Sequence, residues 1–232
     1  AIGEGKLGEP YGVRISAAHD YHGASLIRHM LGIKPGDGPV RMRGKRYEFP
    51  VTETDSRYGA VTDGSIKQWN RECIAIEFMS DRSAIRKIAY YDFSGVQYHS
   101  FIRSRHLNVQ GRDGEWNDTV LRYIGENGLP VKEPVLPYLD PKYKGIETDE
   151  LRQIASQWNP YLELDSDQDE YAIASMMIDM REYLEGGKEV YPLAEALEDA
   201  YTWILMNRAV ENPQEAVWSE NMPWHRKENL KR

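Results

Sequence analysis

The run Tyr98-His-Ser-Phe-Ile-Arg-Ser-Arg-His-Leu-Asn-Val-Gln-Gly-Arg-Asp-Gly-Glu-Trp-Asn-Asp-Thr-Val-Leu-Arg-Tyr-Ile124 decides the fold class. Tyr98 to Val109 and Trp116 to Ile124 are short, β-branched and aromatic runs that read as strands. Between them Gly111-Arg112-Asp113-Gly114 supplies residues that tolerate the positive φ of a tight hairpin. Upstream, Val40 to Thr54, Cys73 to Met79 and Ala84 to Phe93 have the same character, with turns expected near Arg82 and at Ser94-Gly95. Strands this close in sequence are expected to pair antiparallel, so the pattern predicts a meandering sheet. Before them, Tyr11 to Ala18 reads as a strand after Pro10. Ala24 to Leu31 reads as a helix starting near His22 and stopped by Gly32, with Pro35 beyond.

Residues 139–165 carry Pro141, Gly145 and Pro160 around a short possible helix at 148–158, and are expected to form a surface excursion. A helix over 169–185 then places Ile173, Met176, Met177, Met180 and Leu184 on one stripe. Pro192 opens a second over 192–209, with Leu193, Ala196, Leu197, Ala200, Ile204 and Leu205 on its stripe. Two amphipathic helices need an apolar surface, and one face of the sheet provides it. The expectation is a single two-layer α+β domain: a large, mostly antiparallel, open-faced sheet with helices on one face. The other face stays open or serves self-association into a homo-oligomer.

With 29 basic against 37 acidic side chains the net charge is −8, which offers no general field for nucleic acid or an anionic membrane. The acidity is concentrated after residue 138. Cys73 is the one cysteine, so there is neither an intramolecular disulfide nor a cysteine zinc cluster, and a reducing, cytoplasmic setting is expected. No apolar run approaches the roughly 20 residues that span a bilayer.

Three motifs mislead. Gly3-Glu4-Gly5-Lys6-Leu7-Gly8 spells a dinucleotide fingerprint, but no strand precedes it and Pro10 leaves no room for the helix that would follow. Asp165-Ser166-Asp167-Gln168-Asp169 begins like a calcium loop, yet the sixth position is Glu170 and the twelfth Met176. His19, His22 and His29 offer three imidazoles, but His22 and His29 stand about 10 Å apart along a helix, too far for one ion. Neither a metal nor a nucleotide is expected on this chain alone.

The run His19 to Gly32 is the chemical candidate, because it lies where a strand ends and a helix begins. His22 is placed for proton transfer, with Asp20 and Tyr21 beside it. On the strand read at Tyr98 to Val109, His99, Arg103 and Arg105 share a side and suit bidentate contacts to substrate oxygens.

Four segments together resemble one known family. Gly5-Lys6-Leu7-Gly8-Glu9 leads into the first strand, and His22 stands ten residues before Gly32 in a helix containing Leu26-Ile27-Arg28. Val109 to Glu115 forms a hairpin, and Val190-Tyr191-Pro192-Leu193-Ala194-Glu195-Ala196-Leu197 opens the last helix. In order and spacing this resembles the C-terminal domain of the glucose-fructose oxidoreductase, inositol dehydrogenase and rhizopine catabolism (Gfo/Idh/MocA) family. The resemblance implies a dihydrodipicolinate-reductase-like domain lining the substrate side of an NAD- or NADP-dependent oxidoreductase of sugars, inositols or related polyols. It further implies that a Rossmann domain preceding Ala1 would hold the dinucleotide and carry the family's lysine, leaving the isolated chain inactive. His22 matches the histidine of the family's D-x-x-x-H motif. The motif's aspartate falls on Ala18, and the one often found three residues after the histidine falls on Ser25, so Asp20 or His19 would have to compensate. Two alternatives stay open: a non-catalytic dimerisation or ligand-binding module, and a relative that cleaves glycosides with the help of NAD.

Overall fold

The computed structural model describes residues 2–56, 58–79, 85–135 and 168–225. The excursion expected at 139–165, the turn at Arg82 and the start of the acidic run at Asp165 lie outside the described residues. The chain divides into two compact units, one of 1–133 with 193–232 and one of 134–192.

In the first unit, strand β1 (Pro10–Ser16) leads into helix α1 (Asp20–Leu31), which Gly32 ends in the left-handed conformation, as the sequence predicts. The long strands β2 (Val40–Thr52) and β5 (Ile66–Phe78) form a hairpin whose tip carries the two-residue strands β3 (Asp55–Ser56) and β4 (Gly59–Ala60). Then come β6 (Lys87–Tyr91), β7 (His106–Gly111), β8 (Gly114–Asn117), β9 (Val120–Ile124) and β10 (Pro130–Pro134). Helix α2 (Gln168–Leu184) belongs to the second unit, while helix α3 (Leu193–Glu211) and strand β11 (Val217–Trp218) complete the first.

The main sheet has nine strands in the order β10-β9-β8-β7-β1-β6-β5-β2-β11. The sheet and its helices are an α+β arrangement, mostly antiparallel. The plain meander expected from sequence is corrected at one place: β1 inserts between β6 and β7, running parallel to β6 and antiparallel to β7. A parallel neighbour cannot be reached by a hairpin, so the chain between β6 and β7 must cross the end of β1. That crossing occupies residues 92–105. Tyr98 to Val109 is therefore no continuous strand: Gly95–Tyr98 form a short 3₁₀ helix and pairing begins only at His106. The expected strand Trp116–Ile124 is likewise a hairpin, turned by Asp118 at φ 50°.

One sheet face is apolar, with Val13, Ile15, Met42, Ile74, Ile76, Ala89 and Val109 all buried. α1 and α3 pack on it. Within the second unit, Ile173, Met176, Met177, Met180 and Leu184 of α2 are each more than half exposed. The stripe read for the last helix is rotated. Leu193, Leu197 and Ile204 are exposed, whereas Leu205 of that stripe is buried as expected, and α3 buries Asp199, Thr202, Met206 and Ala209 beside it. Hydrophobic spacing missed this face because part of it is polar and paired: Arg28 of α1, 3% exposed, bonds the carboxylates of Asp199 and Glu195.

Gly23 sets how closely α1 can lie on β6. A Cβ there would stand 2.6 Å from Cε2 of Tyr91 and 2.9 Å from the Ala18 carbonyl oxygen, nearer than any side chain can approach. Gly23→Ala is expected to cost about 1–3 kcal/mol through this overpacking, read as a fall in the thermal midpoint; an unchanged midpoint would mean the helix packs less closely than described. Among the described residues, no helix is long and apolar enough to cross a membrane.

Candidate functional site

The crossing over the end of β1 builds the site. β1 and β6 end side by side, with Ile15 opposite Tyr91, and open sheets offer their parallel carboxyl ends as natural places for chemistry. The crossing chain is pinned by Gln97, 5% exposed, whose amide nitrogen donates to Ser16 Oγ at 3.0 Å and to the Ser104 carbonyl at 2.6 Å. Its amide oxygen accepts the Ser94 N–H at 3.0 Å. This places Tyr98 directly over the turn from β1 into α1.

Two hydrogen bonds join Tyr98 to that turn. The His19 backbone N–H donates to the Tyr98 hydroxyl at 3.0 Å, and the hydroxyl bonds His19 Nδ1 in return. The next residue, Asp20, takes φ 49°, the left-handed region that a short polar side chain tolerates, and so bends the chain abruptly into the helix.

His22 stands in the first turn of α1 and is exposed. Its ring lies edge-on to His19 with centroids 5.2 Å apart, and against Tyr21 at 4.1 Å. Tyr21 in turn meets the Trp203 ring of α3 at 6.5 Å. Among the described residues neither ring nitrogen of His22 makes a hydrogen bond, so the imidazole is oriented by its aromatic neighbours with its nitrogens open to solvent. Beneath, Tyr91 is buried, and desolvation followed by the charge of Glu72 holds its phenol well above the usual range, so it stays protonated.

Of the residues expected at the site, Asp20, Tyr21 and His22 share the first turn of α1, and the Arg105 guanidinium lies 5.7 Å over the Tyr98 ring. His99 is exposed beside the same ring at 6.2 Å. The expected alignment of His99, Arg103 and Arg105 on one strand face is corrected: all three lie in the irregular crossing, and Arg103 turns to Ser100 Oγ at 3.4 Å. Asp20 also compensates differently from expectation, since its carboxylate faces His19 Nε2 at 4.0 Å rather than His22. Tyr98 was not singled out from sequence; it reads there as the first residue of a strand, and only the parallel placement of β1 explains its position.

Gly3 to Gly8 is a succession of turns with positive φ at Gly5 and Gly8, with no helix whose amides converge on a pyrophosphate. These residues do not fit a dinucleotide. Among the described residues, no group of three or more His, Cys, Asp or Glu is placed to hold a metal ion. Comparison with protein-family models, with curated proteins and with solved structures returned no match to this chain.

Proposed function

We propose that this chain forms the substrate side of an NAD- or NADP-dependent oxidoreductase acting on a hydroxyl of a sugar, inositol or related polyol, on a dihydrodipicolinate-reductase-like C-terminal domain of the Gfo/Idh/MocA kind. The observation that carries the reading is the exposed His22 imidazole, oriented by Tyr21 and His19 at the joint carboxyl ends of β1 and β6. A dinucleotide held outside these residues supplies the hydride acceptor. What this chain supplies is the proton acceptor and the surface that presents the hydroxyl to it. A hydroxyl hydrogen-bonded to a His22 nitrogen loses its proton to the ring as the carbon beneath becomes a carbonyl. Asp20, which faces His19, and Arg105, over the Tyr98 ring, add a carboxylate and a guanidinium suited to other hydroxyls of the substrate.

The full-length polypeptide containing this chain, supplied with NAD or NADP and a panel of hexoses, inositols and alditols, is expected to reduce the nucleotide with at least one of them, followed by absorbance of the reduced nicotinamide. Release of a free sugar from glycosides without net reduction would favour the glycoside-cleaving alternative. Silence on every substrate, with the protein folded, would overturn the oxidoreductase reading.

A further inference from the structure

The turn from β1 into α1 is held in a shape its own residues do not favour. Asp20 takes φ 49°, in the left-handed region, where the Cβ of a non-glycine residue crowds the following carbonyl oxygen. His19, at the N-cap, makes no side-chain bond to the amides of the first turn. A strained conformation of this kind persists only where the surrounding structure over-determines it.

Two tyrosines from elsewhere in the fold do so. The His19 N–H donates to the Tyr98 hydroxyl at 3.0 Å, and the N–H of the next residue, Asp20, bonds the Tyr91 hydroxyl. Successive amides of the turn are thus taken by hydroxyls from two elements, Tyr98 on the crossing and Tyr91 at the end of β6. Phe93 lies between the two rings, 6.4 Å from Tyr91 and 4.9 Å from Tyr98 by centroid, and keeps their spacing. Tyr91 is buried, and its Cε2 stands 2.6 Å from where a Cβ on Gly23 would lie, so the first turn of α1 rests on this ring. A rotation at Asp20 swings that turn relative to β1, and His22 stands two residues further on. Burial keeps Tyr91 itself from touching a substrate, which leaves it a role through the turn alone.

We propose that Tyr91 is a positioning residue: with Tyr98 it holds Asp20 in the left-handed conformation and so fixes the direction of the His22 imidazole. Its effect on turnover rests on the oxidoreductase reading; its effect on the ring does not. Tyr91→Phe keeps the ring on which α1 rests and removes the hydroxyl alone. In the full-length polypeptide, with NAD or NADP and the polyol turned over fastest, kcat is expected to fall about 3–10-fold with KM unchanged, since orientation rather than binding is lost. Neither hydroxyl holds the turn by itself, so Tyr91→Phe/Tyr98→Phe should lose less than about twice as much as the larger single variant. In an Asp20→Gly background, where the left-handed conformation carries no penalty, Tyr91→Phe should cost less than about twofold. Proton NMR reads the same turn without turnover: the contacts between the His19 and His22 rings, 5.2 Å apart by centroid, are expected to be lost in Tyr91→Phe. A double variant that loses the product of the two single losses, a loss undiminished in the Asp20→Gly background, a raised KM with kcat intact, or unaltered ring contacts would each overturn the proposal. Absence of turnover in the unaltered protein would sink the oxidoreductase reading alone, and the ring contacts would then decide the place of Tyr91.

Discussion

Arg28→Ala is expected to destabilise the first unit by about 3–5 kcal/mol, the range for removing one partner of a buried ion pair. The guanidinium is 3% exposed, bonds Asp199, whose side chain is also 3% exposed, and reaches Glu195 Oε2 at 2.6 Å and the Glu195 carbonyl at 3.2 Å. Truncation takes the guanidinium away from the buried Asp199 carboxylate, and breaking a buried ion pair by removing one partner is costly. For a unit of this size the change corresponds to a fall of roughly 10 °C in the thermal midpoint, measurable by circular dichroism. Arg28→Met with Asp199→Leu removes both charges and fills the space with apolar atoms, and is expected to recover most of the loss. A loss below about 1 kcal/mol for the single variant would show that the pair is solvated. The pair holds α1 against α3, and α1 carries His22 at its other end.

The same pair explains what was legible in the sequence and what was not. β1, α1 and the Gly32 stop could be read directly, because an alternating run, a helical run and a left-handed glycine are local signals. The span of α3 could be read as well, but not its face. Periodicity assumes that buried means apolar, and α3 buries Asp199, Thr202 and Glu198, the last accepting hydrogen bonds from Trp224 Nε1 and His225 Nε2. Nor could the place of β1 in the sheet be read, since parallel pairing with β6 joins strands more than seventy residues apart and leaves no turn to recognise. For that reason the grouping of Asp20, Tyr21 and His22 is legible in the sequence, while the bond of Tyr98 to His19 is not: the first three are neighbours along the chain, and the last two only across the fold.

If His22 accepts the substrate proton, His22→Ala in the full-length enzyme should lower kcat by about 10²–10⁴-fold, the usual worth of a positioned acid-base group. KM should change little, because the interaction lost is made in the transition state rather than in the bound substrate. The ring is exposed and its contacts are aromatic edges and faces, so the thermal midpoint should hold, which separates loss of chemistry from loss of fold. Added imidazole should restore part of the turnover of the alanine variant, since the vacated space opens to solvent. Tyr98→Phe offers a graded comparison. It deletes the hydroxyl that receives the His19 N–H and bonds the His19 ring, so the edge on which His22 rests loosens while His22 itself remains. A loss of about 3–10-fold is expected there, the cost of misplacing a catalytic group rather than removing it. Equal losses in the two variants would show that Tyr98 and His22 act as one unit, and full activity in His22→Ala would remove the imidazole from the reaction altogether.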